Sequence, residues 1–290
     1  MPINLDRCGK RTDVAIAMRA RKTTMIQSLS AADIDDYAAI LCDLDGCLIA
    51  EERALPGAEE FVRCADNRLS IVSNNSADTG ATLSGKLHAI GLELPPDCIF
   101  LAGELAVRTV AAERPGARVL LFAEPPLRHL AADLGLEAVD DQADVVLLAR
   151  DTRFTLNCLE RALRLLDKGA ELVLTNPDLF HPNADGRPVP ETGSLFAAFR
   201  ACCPDISARV FGKPEPFLIE AALRNAGVAA ADAVFVGDNA ETDGAAAVRA
   251  GLDFLHLVAE AHRASAVGCP DAPEPPGTGP RSSTMEVAPC

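Results

Sequence analysis

Tryptophan is absent from this chain of 290 residues, and only 4% of them are aromatic. Packing must therefore rest on Leu, Val, Ile and Ala. With 49% of residues hydrophobic there is enough apolar material for a substantial core, of the aliphatic kind that suits an α/β protein. Positive charge is also scarce: 27 Lys and Arg face 42 Asp and Glu, a formal net charge of −15. Such a chain repels nucleic acid and anionic membrane unless it carries a separate basic patch, and the body of the sequence has none. An anionic substrate would be repelled at long range too, so a site for one must supply positive charge locally. No apolar run approaches the length of a membrane span. The ten cysteines include no CxxC pair, and only Cys202 and Cys203 are adjacent. With no apolar signal-peptide segment in the first thirty residues, the expectation is free thiols in a reducing cytoplasm.

What is present has a clear order. Residues 1–30, rich in Arg and Lys through Lys22, read as an N-terminal extension, and residues 263–290, rich in Pro, Gly and Ser, as a disordered tail. Between them, short continuous apolar runs at 38–42, 69–72, 118–122, 144–148, 171–174 and 233–236 alternate with helical patterns. Strands that are apolar throughout and separated by helices predict parallel sheets covered on both faces. Leu156, Leu159, Leu163 and Leu166 share one face of a helix that Gly169 would cap, a stripe that reads as core packing.

In open parallel sheets, ligands bind beyond the carboxyl ends of the strands, so polar residues just after each run carry the interest. Asp43-Leu44-Asp45-Gly46 follows the first run. Its two carboxylates, two residues apart, can divide the work of nucleophile and proton donor. Ser73-Asn74-Asn75 follows the second and offers a hydroxyl, side-chain amides and loop N–H groups to phosphate oxygens. Gly212-Lys213-Pro214 places a lysine before a helix over about 216–227, where it could neutralise a phosphate or a carboxylate. Gly237-Asp238-Asn239-Ala240-Glu241-Thr242-Asp243 follows the last run; Asp238 stands where a metal ligand would, and Asp243 could hold Lys213 or a metal's water shell. Singly, these are an ordinary turn, a helix cap, a surface lysine and an acidic loop. Their joint occurrence, in this order and each at an element end, is far more specific than any one of them.

The set resembles the four motifs of the haloacid dehalogenase-like superfamily. The resemblance implies an α/β fold: a Rossmann-like parallel-sheet core domain with an inserted α/β cap domain. Too few residues lie between Asp45 and Pro56 for a cap, whereas Ser73 to Lys213 spans a whole domain. The expected boundaries are 31–79 and 180–262 for the core and 80–179 for the cap. Leu55-Pro56-Gly57-Ala58, Thr175-Asn176-Pro177-Asp178, Thr192-Gly193-Ser194-Leu195 and the run from Gly237 resemble the branch of NagD-type, pyridoxal and phosphoglycolate phosphatases. Three departures stand out: Cys47 replaces a usual Thr, Gly244 a usual aliphatic residue, and Ala259-Glu260-Ala261 the usual Ser-Gly ending.

Residue by residue, the resemblance implies that Asp43 attacks phosphorus and that Asp45 protonates the leaving oxygen and then activates water. It implies that Ser73, Asn74, Asn75 and Lys213 hold the phosphoryl group, with magnesium bound by Asp43, Asp238 and the main-chain carbonyl of Asp45. Arg153, on the cap, is expected to contact the substrate. The implied substrate is a small phosphorylated metabolite (nucleotide, sugar phosphate, phosphoglycolate or pyridoxal phosphate), and the implied assembly a homodimer through the cap. Two rivals on the same scaffold are a phosphotransferase or mutase and an inactive binding relative. The intact acidic residues and Lys213 argue against the second, and the missing cap after the first motif argues against the mutase.

Overall fold

The computed structural model describes residues 21–183 and 187–258. Fifteen strands and eight α-helices follow one another through these segments. β1 (Thr23–Ile26), β2 (Ala39–Cys42), the small hairpin β3 (Ile49–Ala50) and β4 (Arg53–Ala54), α1 (Ala58–Ala65), β5 (Leu69–Ser73), α2 (Gly80–Ala89) and β6 (Ile99–Leu101) come first. α3 (Ala102–Glu113), β7 (Arg118–Phe122), α4 (Pro125–Asp133), β8 (Glu137–Ala138), β9 (Val145–Leu148), α5 (Leu156–Asp167) and β10 (Glu171–Leu174) follow. The chain continues through β11 (Phe180–Pro182), β12 (Pro188–Pro190), α6 (Thr192–Cys202) and β13 (Arg209–Val210). α7 (Phe217–Ala226), β14 (Ala233–Gly237), α8 (Ala245–Ala250) and β15 (Asp253–Leu257) complete it.

The expected apolar runs are strands because each is buried on both faces. β2, β5 and β14 are buried at every position. They lie in a six-stranded parallel sheet of order β1-β15-β14-β2-β5-β6. From β2 the chain winds outward through β5 and β6, and later returns on the other side through β14 and β15, with the first strand, β1, at the far edge beside β15. The switch point is therefore the crevice between β2 and β14, where Ile40 pairs with Val234 and Cys42 with Val236. Phe61, Leu83 and Leu87 of α1 and α2 cover one face; Leu218, Ile219 and Ala247 of α7 and α8 cover the other.

A second sheet, of order β13-β10-β9-β7-β8, carries α3 and α4 on one face and α5 and α6 on the other. α5 is the predicted leucine-stripe helix; Leu159 and Leu165 are buried, Leu163 and Leu166 pack half-buried beside them, and Leu156 at its start is exposed. Gly169 takes a positive φ of 96° just beyond it, as a glycine at that end should.

Sheet membership moves the expected domain limits. Residues 80–101, expected in the cap, supply α2 and β6 to the first sheet. Residues 180–210, expected in the core, supply α6 and β13 to the second, because two short hydrogen-bonded pairs tie β13 to β10. α3 is the crossing element: Ala102 lies in the first domain's cluster, and Ala106, Val107 and Val110 in the cap's. The expected N-terminal extension also loses its last part, since β1 pairs in parallel with β15 from Thr23–Phe254 to Ile26–Leu257. Residues 1–20 of that extension and the expected tail at 263–290 lie outside the described residues. Among the described residues no helix is long and apolar enough to cross a membrane.

Candidate active site

The four motifs converge at the carboxyl ends of β2, β5 and β14, beside the switch point. β2 delivers Asp43, whose N–H donates to Val236 O at 2.9 Å and so continues the ladder to β14. The chain then turns tightly: Gly46, at φ 78°, donates to Ile49 O, and Leu48 to Leu44 O. Leu44 N–H donates to Asp43 Oδ1 at 2.8 Å, which fixes that carboxylate's orientation. Asp45 stays open to solvent beyond the turn.

Lys213 is almost fully buried, and its ammonium lies 2.6 Å from Asp43 Oδ1 and 2.8 Å from Asp243 Oδ1. Burial alone would lower its pKa, but the carboxylates of Asp243 and Asp43 more than offset this and keep it charged. Asp243 approaches so closely because Gly237 has no side chain; a Cβ there would stand 2.4 Å from Asp243 Oδ2. The Asp243 carboxylate also accepts from Asn239 N–H, at 3.1 Å. Gly244, the departure from the usual aliphatic residue, makes room for a ring: its missing Cβ would lie 3.1 Å from Phe254, which stacks on Phe235.

Asp43, Asp238 and Asp243 each offer a carboxylate oxygen within 4.8 Å of the others. Burial pushes the Asp43 carboxyl well above the usual range, the Asp243 carboxylate adds to the push, and Lys213 opposes it. Asp45, although its side chain reaches solvent, is raised as well, first because neighbouring protein atoms displace part of its hydration; Lys213 and His181 pull the other way. Three carboxylates facing one ammonium leave two negative charges in a small volume. Hard oxygen donors with that residual charge fit a divalent cation such as magnesium, which would also hold Asp43 ionised.

Ser73 is buried at the end of β5, with its Oγ accepting from Asn75 N–H at 3.1 Å. The side chains of Asn74 and Asn75 do not point freely into the site. Asn75 Oδ1 accepts from Ala77 and Asp78 N–H, and Asn75 Nδ2 donates to Asp78, which Lys86 pairs at 2.8 Å. Asn74 is engaged by Asp178 and Lys213. What this loop can offer a phosphate is the Ser73 hydroxyl and main-chain N–H groups other than those of Asn75, Ala77 and Asp78, which already donate within the loop, rather than the side-chain amides expected from sequence.

Arg153 is held by contacts within the cap. Its guanidinium donates to Ala123 O at 3.1 Å and lies 3.4 Å from Asp151, and its own N–H donates to Asp151 Oδ1. All these partners belong to the cap. The cap arginine that meets the first domain is Arg150, whose N–H donates to Ser76 Oγ at 3.1 Å. Arg150 Nε lies 3.2 Å from Glu191 Oε1, which also bonds His181 Nδ1 at 2.8 Å. His181 in turn is near enough to Asp45 to lower its pKa. Sequence reasoning passed over Arg150, His181 and Glu191; only Asn176 and Asp178 had been quoted, as part of a motif without a role. Buried Asn176 joins the domains, its Nδ2 within 2.8 Å of Asn74 O and 3.1 Å of Ser76 Oγ.

Comparison with known proteins bears on the family of the chain. A haloacid dehalogenase-like hydrolase family model matches residues 40–137, and a HAD-hydrolase-like model residues 210–275. The chain is 29% identical over 218 residues to a dihydroxyacetone phosphatase of Corynebacterium glutamicum, covering 74% of this chain and 78% of that one. It is 29% identical over 223 residues to the ribonucleotide monophosphatase NagD of Escherichia coli, covering 74% and 85%. A glycerol phosphate phosphatase of Mycobacterium tuberculosis, solved in complex with magnesium, superposes with a TM-score of 0.71 at 27% identity, covering 80% of this chain and 70% of that one.

Proposed function

Because the chain belongs to the NagD-like branch of the haloacid dehalogenase-like hydrolases and is a phosphoric monoester hydrolase, we propose that it cleaves a small phosphorylated metabolite through an aspartyl phosphate on Asp43. The observation that carries this is the Asp43–Lys213–Asp243 cluster at the switch point, with Asp238 beside it and Asp45 open to solvent.

The chemistry follows from the side chains. An Asp43 oxygen forms a bond to phosphorus as the ester P–O bond breaks, and Asp45 delivers its proton to the departing oxygen. The raised pKa of Asp45 suits it to carry that proton. Water then attacks phosphorus, Asp45 takes a proton from it, and the Asp43–phosphorus bond breaks to release phosphate. The Ser73 hydroxyl, the main-chain N–H groups after it and the Lys213 ammonium take up negative charge on the transferring oxygens. A divalent cation, for which magnesium is the fitting choice, would be held by Asp43, Asp238 and the Asp45 carbonyl and would neutralise the charge between nucleophile and phosphate.

For the leaving group, the Arg150–Glu191–His181 row lines the cap side near Asp45 and favours a polar alcohol, such as a sugar, a nucleoside, a hydroxy acid or a pyridoxal-type alcohol. The proposed assembly is a homodimer through the cap. The test is hydrolysis of p-nitrophenyl phosphate with magnesium, its loss to EDTA, and a screen of phosphorylated metabolites. Absence of all such activity in folded protein supplied with magnesium would refute the reading.

A further inference from the structure

Asn74 has the only side chain that bonds both main-chain polar groups of Lys213 among the described contacts. Its Oδ1 accepts from Lys213 N–H at 2.6 Å, and its Nδ2 donates to Lys213 O at 3.0 Å. The two bonds fix which way the amide faces, because a flipped amide would set donor against donor and acceptor against acceptor. Gly212 permits the approach: a Cβ there would meet Asn74 Oδ1 at 2.6 Å and the Asn176 Cβ at 2.8 Å. The lysine backbone is thus clamped at two points, and its ammonium reaches Asp43 and Asp243 from that fixed base.

The clamp has a third bond, and it comes from the cap side. Asn74 Nδ2 also donates to Asp178 Oδ2 at 3.0 Å, across 104 positions of sequence. Asp178 is itself held in place. Its N–H donates to Asn176 Oδ1 at 3.1 Å, and its carbonyl accepts from Gly193 N–H at 2.8 Å at the start of α6. Asn176 in turn reaches Asn74 O.

We propose that Asp178 is a positioning residue that orients the Asn74 amide, and through it sets the catalytic placement of Lys213. The cap segment after β10 thereby completes the phosphoryl site without touching the phosphoryl group. Asn74 acts on the reaction through Lys213 and not as a side-chain ligand to phosphate. This rests on the aspartyl-phosphate reading above.

The test compares kcat and KM for p-nitrophenyl phosphate with magnesium in four proteins, with thermal melting as the check on folding. The wild type must be active first; inactivity there counts against the proposed function and not against this inference. Asp178→Asn keeps an oxygen that can accept from Asn74 Nδ2 and is expected to retain nearly wild-type kcat. Asn74→Asp sets carboxylate oxygens against Asp178 and Lys213 O, and is expected to lower kcat about ten- to a hundredfold with KM little changed, the range that follows from a small misplacement. Combining Asn74→Asp with Asp178→Asn exchanges donor and acceptor across the same bond and is expected to recover part of the lost kcat. A structural role alone would not give that recovery at equal melting temperature. Three results would overturn the proposal. One is a loss in Asp178→Asn as large as that in Asn74→Asp, which would mean that the charge of Asp178 acts on Asp45. Another is no recovery in the double variant. The last is an effect confined to KM.

Discussion

Asp243, wholly buried, holds the Lys213 ammonium at 2.8 Å, so the site's buried positive charge is balanced by a carboxylate other than the proposed nucleophile, Asp43. A buried ion needs a partner at close range, and removing one partner leaves the other stranded. Asp243→Ala is therefore expected to destabilise the protein by about 3–5 kcal/mol and to reduce turnover severely. Denaturant unfolding measures the first and steady-state kinetics the second. A variant as stable as wild type would show that Lys213 does not depend on Asp243.

Removing divalent cations with EDTA is expected to abolish turnover, and magnesium to restore it. Asp238→Ala is expected to raise the magnesium concentration needed for half-maximal activity and to weaken magnesium binding in calorimetry, since it deletes one of three clustered carboxylates. Unchanged magnesium binding in that variant would place the cation elsewhere.

Arg153→Ala is expected to leave kcat/KM unchanged for every substrate and stability within about 0.5 kcal/mol, because its guanidinium is more than half exposed and bonded only within the cap. Arg150→Ala is expected to discriminate among substrates, with losses on metabolites bearing a polar leaving group and little change on p-nitrophenyl phosphate. The reverse pattern, read in parallel kinetic assays, would restore the substrate role to Arg153.

Gly193→Ala is expected to cost about 1–3 kcal/mol or more and to lower the melting temperature, since its Cβ would sit 2.1 Å from the Pro177 carbonyl. That contact seats the start of α6 on the segment carrying Asp178 and His181. A melting temperature equal to wild type would show that the segment yields freely.

How far the sequence was legible follows from how local each signal is. β2, β5 and β14 announce themselves because a strand buried on both faces needs an unbroken apolar run, and the polar residues after them fall at the sheet's carboxyl end. β1 and β6 are too short and sit in stretches of other character; only pairing with β15 and β5 makes them strands. The β11–β12 hairpin is exposed and contains three prolines, so no apolar pattern marks it. In the site, Asp43, Asp45, Asp238 and Asp243 were readable from position after a run, and Lys213 from its place before a helix. The Asn74 clamp was not, since its partners lie 104 and 139 residues away. Arg150 and Arg153 are three residues apart, and which of them meets the first domain depends on Asp151 capturing the second, a tertiary fact.

The central claim, a covalent phosphoryl group on Asp43, is open to one direct measurement. Enzyme mixed with substrate and magnesium is quenched in acid within one turnover, treated with borohydride and digested, and the peptide carrying residues 38–48 is sequenced by mass spectrometry. An aspartyl phosphate is an acyl phosphate and is reduced to the alcohol, so the account predicts homoserine in place of Asp43, dependent on substrate and absent from Asp43→Asn, which should be folded and inactive. An unmodified Asp43 in enzyme quenched during active turnover, or reduction at another carboxylate, would contradict it.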